Sequence, residues 1–270
     1  ANYDFPARYV EQRELLGQAH AIALARDYLD GPIIIIFVDT IFETDLREVV
    51  NPNVDGVLCV KPVEDPRRFG VAVVEEGRVT RLIEKPKGFE HNLVVVGVYY
   101  IKDSQWLLRA IDELMARNIQ TKGEYYLADA FQVMVDQGAH FRVHPVEVWE
   151  DCGKPEAVLH TNRYLLDHGR DNTAQVQAEN SVIIPPVYVH PQAQVVDSII
   201  GPYVHISAGC QVRNAILRDV ILDNNVQVED ILLEKSLLGE NTVVRGQYQR
   251  LNIGDSSTVG VEYDVDKALQ

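Results

Sequence analysis

Cysteine is scarce in this chain of 270 residues: Cys59, Cys152 and Cys210 are far apart and odd in number. No disulfide framework or zinc spacing runs through them, so a reducing cytoplasm is the expectation. Positive charge is also short. The 25 lysines and arginines face 40 aspartates and glutamates, a formal net charge of −15. That balance argues against a nucleic-acid-coating surface and against an anionic membrane partner. It leaves a nucleotide ligand open, because such a ligand needs only a local positive site. No apolar run reaches the length of a membrane span, and no signal peptide is visible. What is present, 46% hydrophobic and 24% charged residues, is ordinary for a globular protein of one large domain or two.

The richest apolar stretch is Ile33 to Val38, four isoleucines followed by Phe37 and Val38, with Asp39 next. β-Branched residues fit a pleated strand. An unbroken run predicts a strand buried on both faces of a parallel sheet. Asp39 would then stand at the carboxyl end of a strand, where open α/β sheets bind ligands. Around this stretch the pattern predicts a strand at 7–11, a polar loop at 12–17 and a helix over 18–29. Beyond it come a short helix at 46–50, a strand at 56–60 and a hairpin of 69–75 with 78–84. A long strand follows at 93–101, then a helix over 105–117 capped by Ser104, a helix over 127–137 and a strand over 141–149. A last helix spans 155–168, with Gly169 as its cap. Strand, helix, strand in succession is the unit of a parallel sheet. The first domain is expected over residues 1–170, with a polar linker at 171–180.

From Ser181 the spacing changes. Ile183, Val189 and Val195 lie six residues apart, as do Ile200, Ile206 and Val212. Leu222 and Val228, Leu238 and Val244, and Ile253 and Val259 continue the pattern. Turn residues fill the intervals. A six-residue repeat predicts a parallel β-helix, with one aliphatic side chain inward per face and small or left-handed-tolerant residues at the corners. It is expected over 181–262, and its open surfaces make a homo-oligomer the expected state.

Seven pieces of the first domain, in order, carry a resemblance. They are Tyr-Val-Glu-Gln-Arg-Glu-Leu-Leu-Gly-Gln-Ala-His-Ala (9–21), the strand ending in Asp39, Arg-Phe-Gly-Val (68–71), Glu-Lys-Pro (84–86), Asn-Leu-Val-Val-Val-Gly-Val-Tyr (92–99), Gly-Glu-Tyr-Tyr-Leu-Ala-Asp-Ala (123–130) and Trp-Glu-Asp-Cys-Gly-Lys-Pro-Glu (149–156). Followed by hexapeptide repeats, they resemble the sugar-phosphate nucleotidyltransferases of the glucose-1-phosphate thymidylyltransferase and uridylyltransferase kind. The resemblance implies an α/β fold, a Rossmann-like, mostly parallel sheet followed by a left-handed β-helix. It implies that a sugar 1-phosphate, glucose 1-phosphate first, attacks a nucleoside triphosphate, dTTP or UTP first, with release of pyrophosphate.

Both reactants are anions, so positioning and charge neutralisation are the protein's task. Mg²⁺ suits it, held by one or two carboxylates and phosphate oxygens. The resemblance implies Asp39 and Asp151 as those carboxylates and Lys85 as a phosphate contact. It implies Gln12 at the base, Gly17 where backbone passes the nucleotide, and Gly70, Glu84, Asn92 and Gly97 around the sugar. Glu124 and Asp129 are expected to brace the following helix, and His20 to be structural.

Two departures stand out. Val38 occupies a position where the family usually has Gly. The family's Gly-rich phosphate loop, and the sheet's first strand with it, correspond to a segment before residue 1. No Gly-x-Gly-Thr-Arg pattern occurs in the 270 residues, and the expectation is a longer native chain. A second reading is a non-catalytic, nucleotide-sugar-binding regulatory homologue acting through its β-helix. An acyltransferase is disfavoured: the repeat region holds only His190 and His205 and no long excursion loop.

Overall fold

The computed structural model describes residues 6–246. The chain forms two compact units, divided between Thr161 and Asn162.

In the first unit, β1 (Ile33–Ile36) and β2 (Thr40–Glu43) are followed by α2 (Leu46–Val49) and by β3 (Gly56–Pro62), β4 (Gly70–Glu75), β5 (Arg78–Glu84) and β6 (Leu93–Ile101). Helices α3 (Ser104–Ala116) and α4 (Leu127–Asp136) precede β7 (Phe141–Pro145) and β8 (Val148–Asp151), and α1 (Gln18–Leu24) opens the series. The main sheet runs β5-β4-β6-β3-β7. It is mixed and not mostly parallel as expected: β3 and β7 are parallel, and the other pairs are antiparallel.

β6 organises it. Along one edge β6 pairs with β3 over nearly its full length. Its other edge is shared end to end, with β4 at Val94 and with β1 from Val98 to Ile101. Between these partners Val95 and Val96 have no strand partner on that edge among the described residues, the Gly97 carbonyl accepts the Phe37 N–H at 2.9 Å, and Gly97 turns to φ 82. The unbroken apolar run of β6 follows from burial on both faces. Tyr99 and Ile101 join the core beneath α1, α3 and α4, where Phe131 and Phe141 are fully buried. Val96, Val98 and Tyr100 join a second core with Phe42, Leu46 and Trp149.

Several expectations are corrected. The isoleucine strand is not buried on both faces of a parallel sheet: among the described residues β1 pairs with β6 alone, antiparallel, and Ile34 and Ile36 are 40% and 45% exposed. Burial, not residue type, separates the two cases, and a run of isoleucines suits either. Residues 7–11 form no strand. The expected helix over 18–29 is α-helical only to Leu24 and ends in a 3-10 turn over Arg26–Tyr28. Asp103, not Ser104, caps α3, accepting from the N–H groups of Gln105 and Trp106 at 2.9 and 3.2 Å. The carboxylate one residue earlier reaches both orphan donors, and Ser104 is buried as the first helical residue. The expected strand over 141–149 is two strands in two sheets: β7 lies beside β3, while β8 pairs antiparallel with β2, Thr40 opposite Asp151.

The second unit holds the parallel β-helix. Val195, Val212, Val228 and Val244 stack in register, at steps of 17, 16 and 16 residues. Ile183, Ile200, Leu217 and Leu233 form another column, and Val189, Ile206, Leu222 and Leu238 the third. Leu217 and Leu233 escaped the six-residue count because the shortened coils put them five residues before Leu222 and Leu238. The corners follow the expected chemistry: Asp197, Asn214 and Asp230 adopt φ of 50, 46 and 57. Asn and Asp tolerate this region because their side chains bond locally, here in ladders such as Asn180 to Asp197 at 2.6 Å and Asn214 to Asp230 at 2.7 Å. Within the expected linker, Val176 and Ala178 pack on this core. The repeats at Ile253 and Val259 lie outside the described residues.

Candidate active site

The gap along β6, between the ends of β4 and β1, opens into a cavity of about 310 Å³. Asp39 enters it from the turn between β1 and β2, Asp151 from the end of β8, Gly70 from the start of β4 and Glu84 and Lys85 from the end of β5. Hydrogen bonds between strands set the two aspartates side by side. The Cys152 N–H donates to the Asp39 carbonyl at 2.8 Å, and Thr40 is the register partner of Asp151. The Trp149 indole N–H donates to the Thr40 hydroxyl at 2.7 Å, and that hydroxyl donates to the Val96 carbonyl at 3.2 Å. The short β2–β8 ribbon is thereby tied to β6. One oxygen of Asp151 accepts the Gly153 N–H at 3.1 Å, and the other meets Arg68 at 3.4 Å.

Gly70 leaves room for Glu84: a Cβ there would stand 2.8 Å from the Glu84 carboxylate. Burial pushes Glu84 up to about 7, with Asp129 and Glu124 adding to the rise and Lys85 opposing it. Desolvation of the charged form outweighs the neighbouring ammonium. At neutral pH this carboxyl can therefore donate a hydrogen bond as well as accept one. Lys85 donates to the Tyr126 hydroxyl and lies 4.1 Å above that ring. Such contacts fix a flexible ammonium at the cavity wall. Burial raises Asp129 too, although the Thr121 hydroxyl donates to it at 3.3 Å.

A second, more apolar cavity of about 630 Å³ adjoins the first. Leu15, Ile22, Ile36 and Val38 line it together with Gln12 and Gly17. Both cavities are bordered by Gln18, Phe37, Asp39 and Glu124. The Gln12 amide nitrogen faces the Gly17 carbonyl and His20 Nδ1, each at 3.0 Å. His20, expected to be structural, thus orients Gln12. Gly17 sits at φ 100, and a Cβ would come 2.5 Å from the Tyr125 carbonyl oxygen. No other residue fits there.

The fold brings together Asp39, Asp151, Lys85, Gly70, Glu84 and Gly97 around one cavity, and Gln12 and Gly17 around its neighbour. Asn92 is exposed and lines neither; its carbonyl accepts the Val63 N–H at 3.0 Å. Gly97 also makes room for Phe37, whose ring would lie 2.8 Å from a Cβ. Val38 is fully exposed and walls the apolar cavity. Sequence reasoning gave no role to Arg68, Tyr126 or Trp149, although all three lie within segments 68–71, 123–130 and 149–156. Their signal is adjacency to Gly70, Glu124 and Asp151. Among the described residues no cluster of three or more His, Cys, Asp or Glu could hold a metal by itself.

The chain matches two family descriptions, "Nucleotidyl transferase" over residues 2–168 and "GlmU-like, C-terminal hexapeptide" over residues 172–241. It is 26% identical to a "Bifunctional protein GlmU" of Methanococcus aeolicus over 189 residues, covering 70% of this chain but 45% of that protein. To a "Glucose-1-phosphate thymidylyltransferase" of Streptomyces antibioticus it is 27% identical over 294 aligned positions, covering 97% of this chain and 81% of the relative. A "Probable mannose-1-phosphate guanylyltransferase 3" of Oryza sativa is 29% identical over 269, covering 93% of this chain and 72% of the relative.

Proposed function

The chain belongs to the nucleotidyl transferase family, and from that premise we propose that it joins a sugar 1-phosphate to a nucleoside triphosphate. A phosphate oxygen of the sugar attacks the α-phosphorus; the bond between the α and β phosphates breaks, and pyrophosphate leaves. Glucose 1-phosphate with dTTP or UTP is the favoured pair. The observation that carries this reading is the pair Asp39 and Asp151, at the bonded ends of the β2–β8 ribbon, with Asp39 at the junction of two cavities of different character.

The polar cavity suits the sugar phosphate. Lys85 offers phosphate a point charge. Glu84, half-protonated near neutrality, matches hydroxyls that both donate and accept. The apolar cavity suits a base and ribose. With the Gln12 nitrogen turned to Gly17 and His20, its oxygen is the group left to accept, and the N3–H of thymine or uracil is a matching donor.

Asp39 and Asp151 fit a Mg²⁺ ion. Two carboxylates, with the remaining positions left to water and phosphate, are its usual protein share. When bound, the ion would neutralise phosphate charge and align the reactants. The residues themselves hold each reactant in place, and such alignment is worth many orders of magnitude in rate.

The test is pyrophosphate release by the full-length chain with Mg²⁺, glucose 1-phosphate and each nucleoside triphosphate in turn. Release that depends on one triphosphate and falls on the order of a thousandfold in Asp39→Ala supports the reading. Release undiminished in Asp39→Ala contradicts it.

A further inference from the structure

Arg67 and Arg68 are neighbours with different commitments. Arg67 is held by Asp65 through contacts of 2.8 and 2.7 Å, and its guanidinium lies over Phe89 at 4.7 Å. Among the described residues Arg68 makes one long polar contact, 3.4 Å to an Asp151 oxygen. It also leans over Phe69 at 5.3 Å, and Phe69 meets Trp149 edge to face at 5.0 Å. Arg68 lines the polar cavity together with Asp39, Lys85 and Asp151. An arginine carries five donors in a fork shaped for phosphate. One contact at the limit of hydrogen-bond distance leaves most of them free, and a half-exposed ion pair of this kind is weak.

We propose that Arg68 is a charge-exchange residue of this site: it neutralises Asp151 until a divalent cation arrives, and then turns its guanidinium to the phosphate of the incoming substrate. The inference rests on the reading of Asp39 and Asp151 as metal ligands. Electrostatics supplies the reason for the exchange. A dication beside Asp151 repels the guanidinium, while a phosphate in the same cavity attracts it. The aromatic shelf of Phe69 and Trp149 keeps the side chain at the rim in both positions. Arg68 thus deters a metal ion that arrives without phosphate and favours one that arrives with it.

Mn²⁺ binding by the full-length protein tests this, read by paramagnetic resonance of the free ion and by quenching of Trp149 fluorescence in a Trp106→Phe background. With Mn²⁺ alone, Arg68→Ala should bind a few-fold more tightly than wild type, because a weak competitor has gone. For pyrophosphate in the presence of Mn²⁺, the same variant should bind about tenfold more weakly or worse, because a charge-assisted fork is lost. Arg68→Lys keeps the charge but not the fork, so its Mn²⁺ affinity should stay near wild type while pyrophosphate affinity recovers only in part. Wild type that binds Mn²⁺ with Arg68→Ala unchanged in both measurements overturns the inference and leaves the metal site standing. Wild type that binds no Mn²⁺, with or without pyrophosphate, overturns both.

Discussion

The two adjoining cavities meet at Asp39 and are built on different principles. The cavity around Glu84 and Lys85 lies where β4, β5, β6 and the β2–β8 ribbon converge, and its polar groups are set by strand ends and by hydrogen bonds from Trp149, Thr40 and Tyr126. The cavity around Gln12 is walled by α1 and by β1, a strand paired on one side only among the described residues, with Ile36 and Val38 exposed along it. The first offers fixed charges and hydroxyl-matching groups, which select by geometry. The second offers aliphatic surface and one oriented amide, which accept a flat ring with less discrimination. A transferase that must place two anions needs the first kind of wall where charge develops and the second where a base is merely held.

The largest effect that separates the two belongs to Glu84. Its folded value, about 7, lies well above that of an exposed carboxylate. A raised acid contributes stability that is complete below the unfolded value and is lost as pH rises through the folded one. A rise of this size is worth up to about 3 kcal/mol, trimmed to about 2 by partial exposure. Glu84→Gln should therefore match wild type at pH 4 and exceed it by about 2 kcal/mol at pH 8 in denaturant titrations. An equal difference at both values would mean that burial does not hold the proton on Glu84. The smallest effect belongs to the other wall. Ile36→Thr replaces a half-exposed side chain and should change stability by about 0.5 kcal/mol or less in the same titrations. A loss of 2 kcal/mol or more would show that β1 is covered on its open side and would erase the contrast.

Much of this arrangement was legible beforehand. Continuous apolar runs located β3 and β6 because both faces of each are buried. The Gly77 turn located the β4–β5 hairpin, and the repeat located the β-helix. The candidate site residues came from ordered motif pieces, and eight of the nine border one of the two cavities. What was not legible depends on partners distant in sequence. Nothing in four isoleucines says that β1 has one neighbour among the described residues. Nothing in Phe141 to Trp149 says that the chain changes sheets at Val146 and Glu147. Arg68 reads as one of two adjacent arginines, and only folding brings it to Asp151, 83 positions away, while Arg67 goes to Asp65.

The division of labour between the cavities is the central claim, and calorimetry of Lys85→Ala tests it most directly. The ligands are the sugar 1-phosphate and the nucleoside triphosphate that support turnover, titrated separately into wild type and variant. Loss of one charge-assisted phosphate contact should weaken sugar-phosphate binding about tenfold and leave nucleotide binding within about twofold. Nucleotide binding that falls tenfold while sugar-phosphate binding is unchanged would contradict the account.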